Sequence, residues 1–156
     1  VQSLNLLKEV MLKKGHEKVR VILVHGVQLS DSITDLLFFS KRKLIEKLET
    51  KEFRASCLFM QNRFNSKLAA LHVDIFTGNT QSAFEQYLEG SKVDEVFISS
   101  NAIFKSKNRS SFDVVPFIQK SNIKTTVIEC ESEEETAWEE MDQLATLFFN
   151  TSHSRN

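Results

Sequence analysis

Glycine is scarce in this chain: 156 residues hold four, Gly15, Gly26, Gly78 and Gly90, and none follows Gly90. Yet the stretch from Lys92 to Ile128 has the layout of a nucleotide-binding α/β unit, with an apolar strand VDEVFI, a polar loop SSNAIFKSKNRSS, a short helix FDVVPFIQK and a second strand IKTTVI. Glycine serves in such loops because a backbone without Cβ can approach phosphate closely and adopt positive φ without strain. Its absence from residues 99–111 excludes the usual polyphosphate cradle. Cysteine is nearly missing too. Cys57 and Cys130 have no CxxC spacing, which argues against a zinc module and against a secreted disulfide framework, so a reducing cytoplasm is the expected location. His16, His72 and His153 are scattered without ligand spacing, and no metal site is expected. Neither sign of charge dominates, at 20 basic against 21 acidic residues. No bulk field therefore draws nucleic acid or an anionic membrane. Apolar runs such as VRVILVHGV are too short to span a bilayer, and no secretory leader opens the chain. There is no Gly-x-Ser-x-Gly elbow, no Walker loop and no His-Glu-x-x-His, so an enzyme with a recognisable mechanism is not expected.

What is present suits one domain. With 41% hydrophobic residues, the chain can bury a core without metal or disulfide staples. Residues 1–150 read as a single α/β domain and 151–156 as a frayed tail. Four Val- and Ile-rich runs, Val19–His25, Leu71–Thr77, Asp94–Ser99 and Lys124–Glu129, alternate with helical patterns. That spacing predicts crossover connections and an open, mostly parallel sheet with helices on both faces. Leu4, Leu7, Val10 and Met11 mark a first helix. Ser30, Asp31 and Ser32 offer N-cap oxygens to a second, whose apolar positions are Ile33, Leu36, Leu37, Leu44, Ile45 and Leu48. Phe53, Cys57, Met60 and Phe64 form a helical stripe, although residues 55–60 also read as a strand. Asn79 or Thr80 starts a helix that turns Ala83, Phe84, Tyr87 and Leu88 inward, with Gly90 placed for a left-handed C-terminal residue. Asp113 is expected to cap the short helix that carries Pro116 at its third position. Ser132 and Glu135 form a capping box ahead of a face built from Trp138, Met141, Ala145 and Phe148.

Three ordered segments carry a resemblance. LLKEVMLKKGHEKVRVILVHGV, DIFTGNTQSAFEQYLEGSKVDEVFIS and SSFDVVPFIQKSNIKTTVI together resemble the universal stress protein family, a branch of the Rossmann-like nucleotide-binding α/β domains. The resemblance covers roughly Leu4 to Ile128 and implies a Rossmann-like fold, often dimeric through its last strand. In this register the family's first strand, central to the sheet, and its Asp-x-Ser turn fall ahead of Val1. Loss of that strand would expose two strand edges, each a template for another chain. The glycines of ATP-binding members fall on Phe97, Ser100, Ser110 and Ser111, where only the last hydroxyl is retained.

The candidate site is therefore the loop outside the carboxyl end of a strand, where open α/β sheets bind ligands. It comprises Ser99, Ser100, Asn101, Lys107, Arg109, Ser110 and Ser111, with Lys105 nearby and His25 at the neighbouring strand end. Hydroxyls, the amides opening the next helix and a cation or two could receive an anion. Asp74 with Asp94 or Glu95 forms a conceivable acid/base pair, and Cys57 reads as a core residue. The expected function is that of a non-enzymatic, universal-stress-protein-like domain with a degenerate nucleotide site. It acts in stress response or signalling through association, as a homodimer or with another protein partner, and needs no cofactor. The alternative is a nucleotide switch or slow ATPase that holds ATP or AMP on residues 99–111.

Overall fold

Runs rich in Val and Ile become strands because branched side chains pack on a pleated surface, and the stripes between them become helices. The computed structural model describes residues 2–30, 32–101, 103–106 and 108–130. In chain order the elements are α1 (Gln2–Lys13), β1 (Val19–Val27), α2 (Ile33–Leu37), α3 (Lys41–Leu48), α4 (Lys51–Arg63) and β2 (Leu68–Phe76), followed by α5 (Gln81–Gly90), β3 (Glu95–Ser99), β4 (Ser111–Phe112), α6 (Val115–Lys120) and β5 (Lys124–Ile128). The expected C-terminal helix and tail, from the capping box at Ser132 to Asn156, lie outside the described residues, as do Asp31 and Lys107.

The protein is an α/β protein with open, largely parallel sheets. β1 pairs with β2 in parallel from Arg20 opposite Ala70 to Gly26 opposite Phe76. β3 pairs with β5 in parallel from Glu95 opposite Lys124 to Ser99 opposite Ile128. Where one continuous sheet is expected, the ladders form two, ordered β2-β1-β4 and β3-β5. The short β4 is antiparallel, setting Phe112 opposite Gly26 and Ser111 opposite Val27. One face is covered by α1 and α4, through Leu7, Val10, Met11, Met60 and their neighbours. The other is covered by α5 and α6, through Phe84, Leu88 and Ile118 packed on Phe76.

Several local expectations give way to the structure. The stretch expected as one helix from Ile33 to Leu48 breaks after Leu37, because Ser40 turns extended (φ −129°, ψ 112°) and its hydroxyl accepts the Lys43 amide to begin α3. Ile33 and Leu37, two of its apolar positions, are each 76% exposed. The left-handed residue after α5 is Lys92, at φ 53°, and not Gly90, which completes the helix. The last short helix starts one residue later than expected: Val114 is its N-cap, and Pro116 falls in its first turn, where no intrahelical amide bond is lost. Residues 55–60 are helical, within α4, which Thr50 caps by accepting the Phe53 amide at 3.1 Å. Such a cap contributes about 1 kcal/mol.

Polar anchors fix α1 against the strands. Lys67 Nζ donates to the carbonyls of Met11 and Lys14 at 3.0 and 2.9 Å, placing a cation at the negative end of the helix. Lys14 in turn pairs with Glu95 at 3.0 Å. The Glu95 carboxylate also accepts from Thr126 at 2.7 Å and meets Lys124 at 3.1 Å. The Thr126 hydroxyl first and Lys14 next hold Glu95 down to about 2. Its contribution to stability is complete above the ordinary carboxylate range and is lost as pH falls towards that value. We expect the unfolding midpoint of the parent chain to drop more steeply between pH 4.5 and 2 than that of Glu95→Gln. Parallel slopes in denaturant titrations at stepped pH would show that Glu95 does not govern this limb.

Candidate functional site

The parallel strands end at a common rim, and β4 shapes it. Antiparallel pairing of Ser111 and Phe112 with the tip of β1 folds the loop after β3 back across that strand end. This needs Gly26, because a Cβ there would lie 2.6 Å from the Phe112 carbonyl oxygen. The Gln28 amide donates to the Ser110 carbonyl at 2.7 Å and extends the pairing. His25 Nε2 then lies 2.8 Å from Ser111 Oγ. The His25 ring also stacks on Phe104, with centroids 6.3 Å apart and planes 26° from parallel. Burial pushes the imidazole below its ordinary pKa, so it favours the neutral form.

Ser99, Ser100 and Asn101 form a separate group. Ser99 Oγ donates to Asn101 Oδ1 at 2.5 Å, Asn101 Nδ2 donates to the Cys130 carbonyl at 2.8 Å, and the Ser100 amide donates to the Ile128 carbonyl at 2.9 Å. These contacts bind the start of the loop to the end of β5. Among the described residues, no hydrogen bond joins this group to His25 and Ser111. Arg109, Ser110 and Lys105 are exposed.

The loop's polar atoms largely satisfy one another. Ser106 Oγ accepts the Asn108 amide at 3.1 Å, and Asn108 Oδ1 accepts the Ser110 amide at 3.0 Å. These are local turns, each side chain bonding the amide two residues on. The signal was legible as alternating Ser106, Asn108 and Ser110. Phe104, by contrast, carried no sign of its place beside His25. Ser110 and Ser111 do not open α6. Three residues separate Ser111 from Val115, and there the Asp113 carboxylate accepts the Val115 amide at 3.0 Å. A negative charge therefore stands where an incoming phosphate would seek backbone donors.

Other candidate chemistry is dispersed. Asp74 pairs with Lys41 at 2.6 Å and accepts from the Tyr87 hydroxyl at 3.0 Å, whereas Glu95 is held by Lys14, Lys124 and Thr126, so the two carboxylates serve different networks. Burial first, and then the Asp74 charge, raises Tyr87 above its ordinary pKa, which keeps the phenol protonated. Burial first, and then Glu49, raises the Cys57 thiol, which suits a packing role in the α4 stripe. Among the described residues, no group of three or more His, Cys, Asp or Glu side chains could hold a metal ion. No described helix is long and apolar enough to cross a membrane.

The fold and rim thus define an open α/β protein with a self-bonded loop at the carboxyl edge. No protein-family model matches the chain, and no curated protein matches it. Among solved structures it is similar to the crystal structure of a hypothetical protein, PH0823, at 15% identity and a TM-score of 0.49. That similarity covers 83% of this chain and 88% of the other.

Proposed function

We propose that this chain is a non-enzymatic association domain of the universal-stress-protein type, with a degenerate nucleotide site and a role in stress response or signalling. The observation that carries this reading is the engagement of Ser111, the one hydroxyl retained at the resemblance's phosphate positions, with His25. The Asp113 carboxylate at the start of α6 adds repulsion against polyphosphate. Association has apolar surface to work with. Ile33, Leu37 and Phe38, after β1, and Ile103, after β3, are between 62% and 81% exposed. Val127 of β5 is 59% exposed on a strand with β3 as its ladder partner, which suits homodimerisation through that strand.

Titration with ATP, ADP and AMP at millimolar concentration is expected to give no heat and no shift in melting temperature. Sedimentation is expected to report a dimer. Stoichiometric nucleotide released from the purified protein by acid precipitation would reverse the reading and favour a nucleotide switch built on residues 99–111.

A further inference from the structure

Val24 and Phe76 lie under α5, and strand alternation sets Arg20, Ile22, His72 and Asp74 on that same side, with Ile22 opposite His72 and Val24 opposite Asp74. α5 runs back over this face towards the amino ends of the strands. Where it finishes, a cleft of about 460 Å³ opens between the sheet and the turn into β3, lined by Arg20, Ile22, His72, Asp74, Gly90 and Lys92. A Cβ on Gly90 would meet nothing within 4 Å, so the helix end adds no wall there.

Three basic side chains from three elements meet at this cleft: Arg20 from β1, His72 from β2 and Lys92 from the turn, all of them exposed. Each is set by backbone that departs from the regular pattern or spans it. The register shifts between the pairs Val19 with Leu68 and Arg20 with Ala70, which leaves Ala69 as an extra residue beside Arg20. Bulges are rare in parallel pairs and re-aim the side chains next to them. Arg20 Nη2 donates to the Ser91 carbonyl at 3.3 Å, which ties the guanidinium to the turn and uses one of its five N–H donors. Lys92 stands at φ 53°, a conformation that glycine adopts freely and asparagine tolerates, whereas a lysine there strains the chain. Strain of this kind collects at ligand clamps.

The negative groups at the cleft are already matched. The carbonyls of Tyr87, Glu89 and Leu88 at the end of α5 accept the amides of Ser91, Lys92 and Val93. The Asp74 carboxylate is held by Lys41 at 2.6 Å and by the Tyr87 hydroxyl at 3.0 Å. What is left for a ligand is a basic end, with Ile22 as an apolar floor.

We propose that this cleft binds a small phosphomonoester. Its phosphate takes the Arg20 fork on two oxygens and the Lys92 ammonium and His72 ring on the third, and its carbon skeleton lies over Ile22. Three donors from three directions match three terminal oxygens better than the two of a carboxylate. The site lies on the amino half of β1 and β2, away from the rim that holds His25 and Ser111, so it stands or falls independently of nucleotide binding there.

The test titrates the isotope-labelled 156-residue chain with glycerol 3-phosphate, inorganic phosphate and succinate at constant ionic strength, followed by NMR. Saturable shifts centred on Arg20, His72, Ser91 and Lys92 are expected, tighter for glycerol 3-phosphate than for succinate. Lys92→Asn, which keeps the left-handed turn and loses the charge, is expected to bind about tenfold more weakly or worse, as is Arg20→Gln. Lys92→Gly is expected to lose binding to the same degree with a melting temperature equal to or above the parent's, because the strain goes with the charge. Parent-like binding by Lys92→Asn, shifts that rise linearly with any anion, succinate binding as tightly as glycerol 3-phosphate, or saturation centred on Arg109 to Ser111 would each overturn the site.

Discussion

Truncation of Phe76 to alanine is expected to cost about 3–5 kcal/mol, measured as a fall in the urea midpoint with little change in slope. Phe76 is 3% exposed at the end of β2. Its ring meets Phe84 at 5.1 Å and 77°, Phe117 at 5.8 Å and 73°, Phe112 at 6.1 Å and 73°, and Tyr87 at 5.6 Å and 50°. Edge-to-face pairs set the positive ring edge against a negative face and add about 0.5–1.5 kcal/mol each beyond the apolar area they bury. One side chain thus joins β2, α5, α6 and β4. The cavity left by alanine would be walled by four rings from three elements and could collapse only if several of them moved together. Phe76→Leu, which keeps much of the volume, should lose considerably less. A cost below about 1 kcal/mol for the alanine variant would mean that this cluster is not the second core.

The aromatic cluster was partly legible in the sequence. Phe84, Tyr87 and Leu88 stand at helical spacing, and the run ending in Phe76 carries the Val and Ile content of a strand. Phe112 was not legible as its partner, because β4 has two residues and no periodicity to betray it. The pairing of His25 with Ser111 spans 86 positions, and no local pattern records such a contact. The break between α2 and α3 was missed for a different reason. Leu36, Leu37 and Leu44 continue a helical period through residues 38–40, and the capping propensity of Ser40 was outweighed by that hydrophobic pattern. Gly90 misled because glycine favours the left-handed region after a helix, yet α5 continues through it and Lys92 takes that conformation. Parallel pairing followed from the alternation of strands and helices. The split into two sheets depends on which edges meet, which alternation alone leaves open.

Substitution of Gly26 by alanine is expected to unfasten β4 from β1 at a cost of about 1–3 kcal/mol. The new Cβ would lie 2.6 Å from the Phe112 carbonyl oxygen and 2.8 Å from its ring, closer than carbon atoms settle against either. The ring could swing aside, but the carbonyl belongs to the ladder itself, so relief requires β4 to move away. That movement breaks the 2.7 Å bond from the Gln28 amide to the Ser110 carbonyl and the 2.8 Å contact between His25 and Ser111. It also returns water to the imidazole. In the parent chain burial holds His25 below its ordinary 6.5. The unfolded chain therefore binds more protons just below that pH, and the folded state loses stability as pH falls through it. In the alanine variant the His25 titration, followed by NMR of the ring protons, is expected to rise towards the ordinary value, and the acid-side loss should flatten. An unchanged midpoint together with an unchanged titration would show that β4 yields by a small ring shift. The His25–Ser111 contact would then survive, and Gly26 would not be what holds the rim closed.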